Sequence, residues 1–244
     1  DIRLSSNFDQ LREKWEDDPM DYLTSAHLSP DGDAVVLTAR GRVAVAPVGQ
    51  GRFVHASRAA GVRYRDAVFM PDGETLLVLT DATGELEFGT IPADGLSAPE
   101  PLTDDGRMLR FEGHPSPDGQ WIAYRDNNDD LWLLEVETRQ QTVISGNRQG
   151  VGDLAWSADS RWLAYSMTAA NTYTQIFLHS IETGTSTAVT SNRVNSSDAA
   201  WSPDGDWLYF LSDRSLRSTV PVTSPIRGGN RSASSPRSRP GTRR

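Results

Sequence analysis

Four acidic residues occupy one point of a recurring pattern: Asp66, Glu112, Asp153 and Asp198. Each lies three residues before the residue that leads into a turn, and Ser25 holds the same place in the first repeat. Carboxylates gathered around one opening would attract cationic side chains or the amino end of a peptide. A second reading stands beside that one. Each acid can bond a neighbouring backbone N–H or arginine and so lock one repeat to the next.

Other residue groups point to less chemistry. Asp126-Asn127-Asn128-Asp129-Asp130 is dense in oxygen ligands, but it lacks the alternating order and the glycine of a calcium loop, and reads as a hairpin tip. The chain has no cysteine, which removes disulfides, thiolate metal sites and a cysteine nucleophile. The four histidines, His27, His55, His114 and His179, are too scattered for a metal motif. A Ser-His-Asp triad assembles in space and needs no fixed spacing, yet nothing marks one, and the Gly-x-Ser-x-Gly elbow is absent. Phosphate-cradling glycine loops are also missing. No catalytic residue, metal site or cofactor is therefore assigned.

The elements that must position the four acids follow from an internal repeat. Ser29-Pro30-Asp31-Gly32 returns as Met70-Pro71-Asp72-Gly73, Ser116-Pro117-Asp118-Gly119, Ser157-Ala158-Asp159-Ser160 and Ser202-Pro203-Asp204-Gly205. Successive aspartates are 41, 46, 41 and 45 residues apart. Proline presets φ, aspartate accepts a local hydrogen bond and glycine ends the turn. Leu154-Ala155-Trp156 and Ala199-Ala200-Trp201 lead into it. Trp121-Ile122-Ala123-Tyr124, Trp162-Leu163-Ala164-Tyr165 and Trp207-Leu208-Tyr209-Phe210 leave it. A third run (Leu131–Leu134, Ile176–Leu178), hairpin turns at 137–139 and 182–184, and a fourth run complete the unit. Four short strands per repeat is the period of a β-propeller blade, so the fold class is all-β. Five blades are recognisable over 24–214, the last incomplete, which predicts an open or partial ring. Its two uncovered blade faces would aggregate or bind partner blades. The strand before each turn is expected innermost, with its start at one mouth of a central channel. Trp121, Trp156, Trp162, Trp201 and Trp207 are expected to be mostly core, filling the wedges between blades.

The two ends differ from the repeats. Residues 1–23 read as a linker with a short helix at 7–19, where Phe8, Leu11 and Trp15 share a face. Asp17-Asp18-Pro19 is the expected stop. Residues 215–244 carry seven arginines and no acid, and their Ser/Arg/Pro bias predicts a disordered basic tail. The chain holds 23 arginines and one lysine, which suggests GC-rich coding DNA. A shifted frame in such DNA yields Arg, Pro, Ser and Gly, so a frameshifted or misjoined end is the expectation for this tail. Residues 1–214 carry 17 basic and 33 acidic groups, a net of −16, which argues against nucleic acid as a partner of the body. No apolar run approaches the length of a membrane span, and no signal-peptide pattern opens the chain, which begins at Asp1.

The repeated Ser-Pro-Asp-Gly turns with Trp-Leu-Ala-Tyr after them resemble the propeller region of tricorn-type proteases, within the broader TolB-like and WD40-like propeller group. The stretch from Phe8 to Leu23, running into Ser29-Pro30-Asp31-Gly32, resembles the lead-in to the second propeller of a bacterial tricorn homologue. The resemblance covers roughly residues 1–214. It implies a cytoplasmic serine-type peptidase, a hydrolase trimming short peptides, in which this segment is a non-catalytic channel, gate or docking module. The partners implied are peptides or unfolded polypeptide, the remaining blades and catalytic core of the parent, and further copies in a homo-oligomer. The family's nucleophile-bearing core has no counterpart here, so none of its catalytic residues is carried over. The alternative is a TolB-like propeller serving as a protein–protein interaction scaffold in the cell envelope.

Overall fold

The computed structural model describes residues 18–57, 59, 61–146 and 150–214. The helix expected at 7–19 and the tail from 215 lie outside these residues, apart from Asp18 and Pro19. Pro19–Tyr22 forms one short 3-10 turn, and the strands begin directly after it.

Four antiparallel sheets of four strands and one of two strands follow in chain order, the blades of a β-propeller with a partial fifth. Blade 1 comprises β1 (Leu23–Leu28), β2 (Ala34–Ala39), β3 (Arg42–Pro47) and β4 (Val54–His55). Blade 2 comprises β5 (Tyr64–Phe69), β6 (Thr75–Thr80), β7 (Glu87–Pro92) and β8 (Glu100–Pro101). Blade 3 comprises β9 (His114–Pro115), β10 (Trp121–Arg125), β11 (Leu131–Glu135) and β12 (Gln141–Ser145). Blade 4 comprises β13 (Val151–Trp156), β14 (Trp162–Thr168), β15 (Thr174–Ser180) and β16 (Thr185–Ala188), and blade 5 has β17 (Ser196–Trp201) and β18 (Leu208–Ser212). Blades 1 to 3 belong to one compact unit, and blades 4 and 5 to a second.

Every four-stranded blade meanders, so its first strand is an edge. Within the first unit β1 packs beside β5, and within the second β13 packs beside β17. First strands of two neighbouring blades thus lie side by side in each unit.

The turn tetrapeptide works through its serine. Ser116 Oγ donates to Asp118 at 2.6 Å and accepts from the N–H of Trp121 at 3.0 Å. Ser29 and Ser157 do the same with Asp31 and Asp159, and with the N–H groups of Ala34 and Trp162. Ser202 repeats the bond with Asp204 and Trp207. Blade 2 has Met70 in that place, and there the carboxylate substitutes: Asp72 Oδ1 accepts from the N–H of both Glu74 (2.9 Å) and Thr75 (2.8 Å). Hydrogen bonds from Ser29 and Ser202, then from backbone N–H groups, hold the Asp31 and Asp204 carboxyls below their usual range.

The first unit buries two apolar clusters. One joins Val36, Val43 and Val45 of blade 1 to Tyr64, Leu76, Val78 and Ile91 of blade 2. The other joins Leu77, Leu79 and Phe88 of blade 2 to Ile122, Tyr124 and Leu134 of blade 3. In the second unit Ala164 and Ile176 pack on Ala199, with Trp201 and Leu208 against them. Two tryptophans depart from the core expectation: Trp162 is 38% exposed and Trp207 57%. Trp162 opens β14 directly after its turn, and Trp207 directly precedes β18. Trp121, Trp156 and Trp201 are half-buried.

Candidate functional site

In each blade the first strand, with the segment leading into it, carries one residue more than the strand it pairs with. In blade 2 Arg65 faces Leu79 while Val68 faces Leu77. Blades 4 and 5 skip in the same way between Gly152 and Ala155, and between Ser197 and Ala200. Blade 1 skips between Leu23 and Ser25. In blade 3 the bridge Arg110–Asp126 and the pair His114–Ala123 enclose the same single excess residue. A β-bulge bends the strand, strengthens its twist and re-aims a side chain.

The four acids of the repeat sit in these bulges. Asp66, Asp153 and Asp198 have φ of 49°, 49° and 53°, the left-handed region. Aspartate is among the few non-glycine residues that visit it routinely, because its short side chain bonds locally. That backbone demand is a second reason for the recurrence of aspartate, which spacing alone does not reveal. Glu112, in the blade 3 bulge, lies outside this conformation.

Their surroundings differ. Asp66 Oδ2 is 4.0 Å from Arg65 Nε. Glu112 Oε1 is 3.5 Å from His114 Nε2. The hydrogen bond from His114 lowers the Glu112 carboxyl from its usual value, against its burial, and the charges of His114, Arg125 and His27 add to this. Asp153 Oδ2 accepts from Ser166 Oγ at 2.8 Å and from the N–H of Asp198 at 3.2 Å, which ties blade 4 to blade 5. Asp198 itself accepts from Ser197 Oγ at 2.7 Å. The blade-locking role weighed from sequence is thus present at Asp153.

The 126–130 segment is a hairpin tip, as expected. Asp126 Oδ1 accepts from the N–H of Asn128 and Asp130, and Oδ2 accepts from Trp132 Nε1 at 3.1 Å. Among the described residues no cluster of acids and histidines has the geometry to hold a metal ion.

Sequence reasoning missed the most buried polar cluster. Arg110, wholly buried, places Nη1 2.8 Å from Glu87 Oε2 and Nη2 2.6 Å from Asp105 Oδ2. Nη2 also donates to Gln141 Oε1 at 3.1 Å, and the Tyr124 hydroxyl donates to the same oxygen. Thr103 Oγ1 and the N–H of Gly106 donate to Glu87. Burial pushes the Tyr124 hydroxyl up to about 12. The members come from β7, β10, β12 and the β8–β9 connection, with no spacing a reader of sequence could use.

A β-propeller whose blades open on a bulged first strand followed by a turn is the class of protein that this architecture defines. Residues 23–224 match the tricorn protease second beta propeller domain, and the chain belongs to that family. A curated relative, the tricorn-like protease C-terminal subunit of Sulfurisphaera tokodaii, is 31% identical over 148 residues, covering 60% of this chain and 16% of the relative. The crystal structure of the tricorn protease superposes with a TM-score of 0.71 at 20% identity, over 81% of this chain and 20% of that one. A TolB structure from Agrobacterium tumefaciens gives 0.60 at 19% identity, over 78% of this chain and 69% of that one. The chain therefore spans about a sixth of the curated relative and a fifth of the tricorn chain. The family match runs ten residues past the expected end of the blades at 214.

Proposed function

We propose that this propeller segment is the non-catalytic peptide channel, gate or docking module of a tricorn-like serine peptidase, with proteolysis carried out elsewhere in a larger cytoplasmic, homo-oligomeric assembly. The family match supports the reading. Within each unit the bulge acids, Asp66 and Glu112 in the first and Asp153 and Asp198 in the second, are the groups that attract a peptide's amino end or cationic side chains. The observation that carries this is the repeated placement of a carboxylate in the bulge at a blade's first strand. The bulge turns the acid out of the strand's alternation, and all four keep exposed or half-exposed side chains. No helix among the described residues is long and apolar enough to cross a membrane.

The test is peptide binding by the full chain, using one basic peptide with a free amino end and the same peptide acetylated. The free form is expected to bind about ten-fold more tightly at low salt, and Asp66→Asn with Glu112→Gln is expected to erase the difference. Equal binding of both forms would sink the reading. The TolB-like scaffold remains the second reading, and the shared propeller fold supports it. A protein partner from the cell envelope, bound without preference for amino ends, would favour it.

A further inference from the structure

A cavity of about 650 Å³ opens beside blades 1 and 2 and carries the opposite charge to the body around it. Its lining includes Arg40, Arg63 and Arg65, against a single acid, Asp21. Three separate segments deliver the arginines. Arg40 is at the tip of the β2–β3 hairpin, where Arg40 and Gly41 have φ of 49° and 74° and form a two-residue turn of the type that matches strand twist. Arg63 precedes β5, and Arg65 is its second residue.

The local packing holds these side chains in place. The Arg40 guanidinium carbon lies 4.6 Å from the centre of the Tyr22 ring, a cation–π contact that fixes one wall. The Arg63 stem lies against Gly41: a Cβ there would stand 3.2 Å from its Cγ. The N–H of Tyr64 donates to the Gly41 carbonyl at 3.0 Å, which joins the hairpin tip to β5. Arg63 and Arg65 do meet acids, Asp81 at 3.6 Å and Asp66 at 4.0 Å, both outside the cavity lining. In each pair the contact is through Nε at near the limit of an ion pair, and among the described residues the Nη groups of Arg63 and Arg65 make no hydrogen bond. Arg63 and Arg65 side chains are 82% and 58% exposed, and such pairs contribute little to stability.

A volume of this size is ordinary for a small-molecule site, which combines apolar walls with a few placed polar groups. Guanidinium forks match the paired oxygens of carboxylate and phosphate. We propose that this cavity is a binding site for a small oxyanion, a carboxylate or phosphate carried on an aromatic or apolar group that packs beside Tyr22. It is opposite in charge to the proposed peptide path and meets it at Arg65, whose Nε lies 4.0 Å from Asp66 Oδ2.

Three probes test it on the full chain by calorimetric or NMR titration: benzoate, phenyl phosphate and, as the uncharged control, benzamide. Benzoate or phenyl phosphate is expected to bind at least about ten-fold more tightly than benzamide, weakening as salt rises. Preference between the two anions distinguishes a carboxylate source from a phosphate one. Arg63→Gln and Arg65→Gln together are expected to remove the preference over benzamide, while Arg65→Lys retains part of it. Both side chains are exposed, so an unchanged melting curve verifies that the variants fold. Equal affinity for benzamide and the anions, no binding of any probe, or anion binding untouched by the double substitution would overturn the proposal.

Discussion

Arg110 Nη1 lies 2.8 Å from Glu87 Oε2 with both side chains removed from solvent, and this pair joins β7 of blade 2 to the segment that opens blade 3. A buried ion pair is poor evidence of net stability, since desolvating both charges offsets most of their attraction. What it does give is geometric selectivity. Glu87 is bonded by Thr103 and Gly106, and Asp105 by Gln141, so the guanidinium fits only one placement of the two sheets.

Removing one partner leaves the others charged and buried. Arg110→Met is expected to lose about 3–5 kcal/mol in denaturant unfolding, while adding Glu87→Gln to it recovers part of that. A pH signature accompanies the loss. Burial works to raise the Asp105 carboxyl, but the hydrogen bond from Arg110, then those from Arg107 N–H and Gln141, outweigh it and hold the group at about 2. A carboxyl lowered in the folded state contributes stability above its ordinary value of 3.8, lost as pH falls from there toward 2. NMR titration of Asp105 in Arg110→Met should find its midpoint raised. An unmoved midpoint would show that Arg110 is not the controlling group.

The bulge aspartates separate two roles by substitution. If the left-handed backbone alone explains aspartate at residue 66, Asp66→Gly and Asp66→Asn keep full stability and Asp66→Val loses about 1–2 kcal/mol. If charge selects peptides as proposed, Asp66→Asn keeps that stability yet loses the preference for a free amino end. Thermal melts combined with the peptide titration read both at once. Equal melts for Gly and Val would contradict the strain argument.

The parts legible in sequence are those with local causes. The turns were readable because Ser116, Asp118 and Trp121 bond one another within five residues, and the hairpin turns ending at Arg139 and Gly184 carry the positive φ that such corners need. The acids were found by spacing, but their backbone strain was not, because an excess residue in a strand leaves no mark until its partner strand is known. Residue type points Trp162 and Trp207 to the core, whereas exposure is set by the packing around each blade: Trp121, at the same place in β10, is half-buried. Arg110 was invisible for a related reason: Glu87, Tyr124 and Gln141 reach it from three strands, and only the packing of blades 2 and 3 brings them together.

Gly113 shows the same dependence on packing. A Cβ there would stand 2.7 Å from Leu77 Cδ2, 2.9 Å from Phe88 Cε1 and 3.0 Å from Ile122 Cγ2. All three belong to well-packed core positions of blades 2 and 3, with little room to retreat. Gly113→Ala is therefore expected to destabilise by about 1–3 kcal/mol through overpacking. Gly184, with positive φ and nothing within 4 Å, is the control: Gly184→Asn should fall within about 0.5 kcal/mol of the parent. Equal denaturant midpoints for Gly113→Ala and the parent would mean that the blade interface is looser than these distances imply.

His179 gives the second unit a pH response of the same direction from a base rather than an acid. The side chain is 3% exposed on β15, between Leu163 of β14 and Ser186 of β16, with Nδ1 3.0 Å from Ser186 Oγ. Burial disfavours the imidazolium, so the folded-state value lies below the ordinary 6.5. An unfolded chain then binds the proton more readily than the folded one. Stability is complete above 6.5, falls as pH drops below it, and levels once pH passes the folded value. His179→Gln fills a similar volume without titrating. Unfolding midpoints measured from pH 7.5 to 4.5 should show a slope in the parent that is reduced in His179→Gln. Parallel curves for the two proteins would assign that slope to other groups.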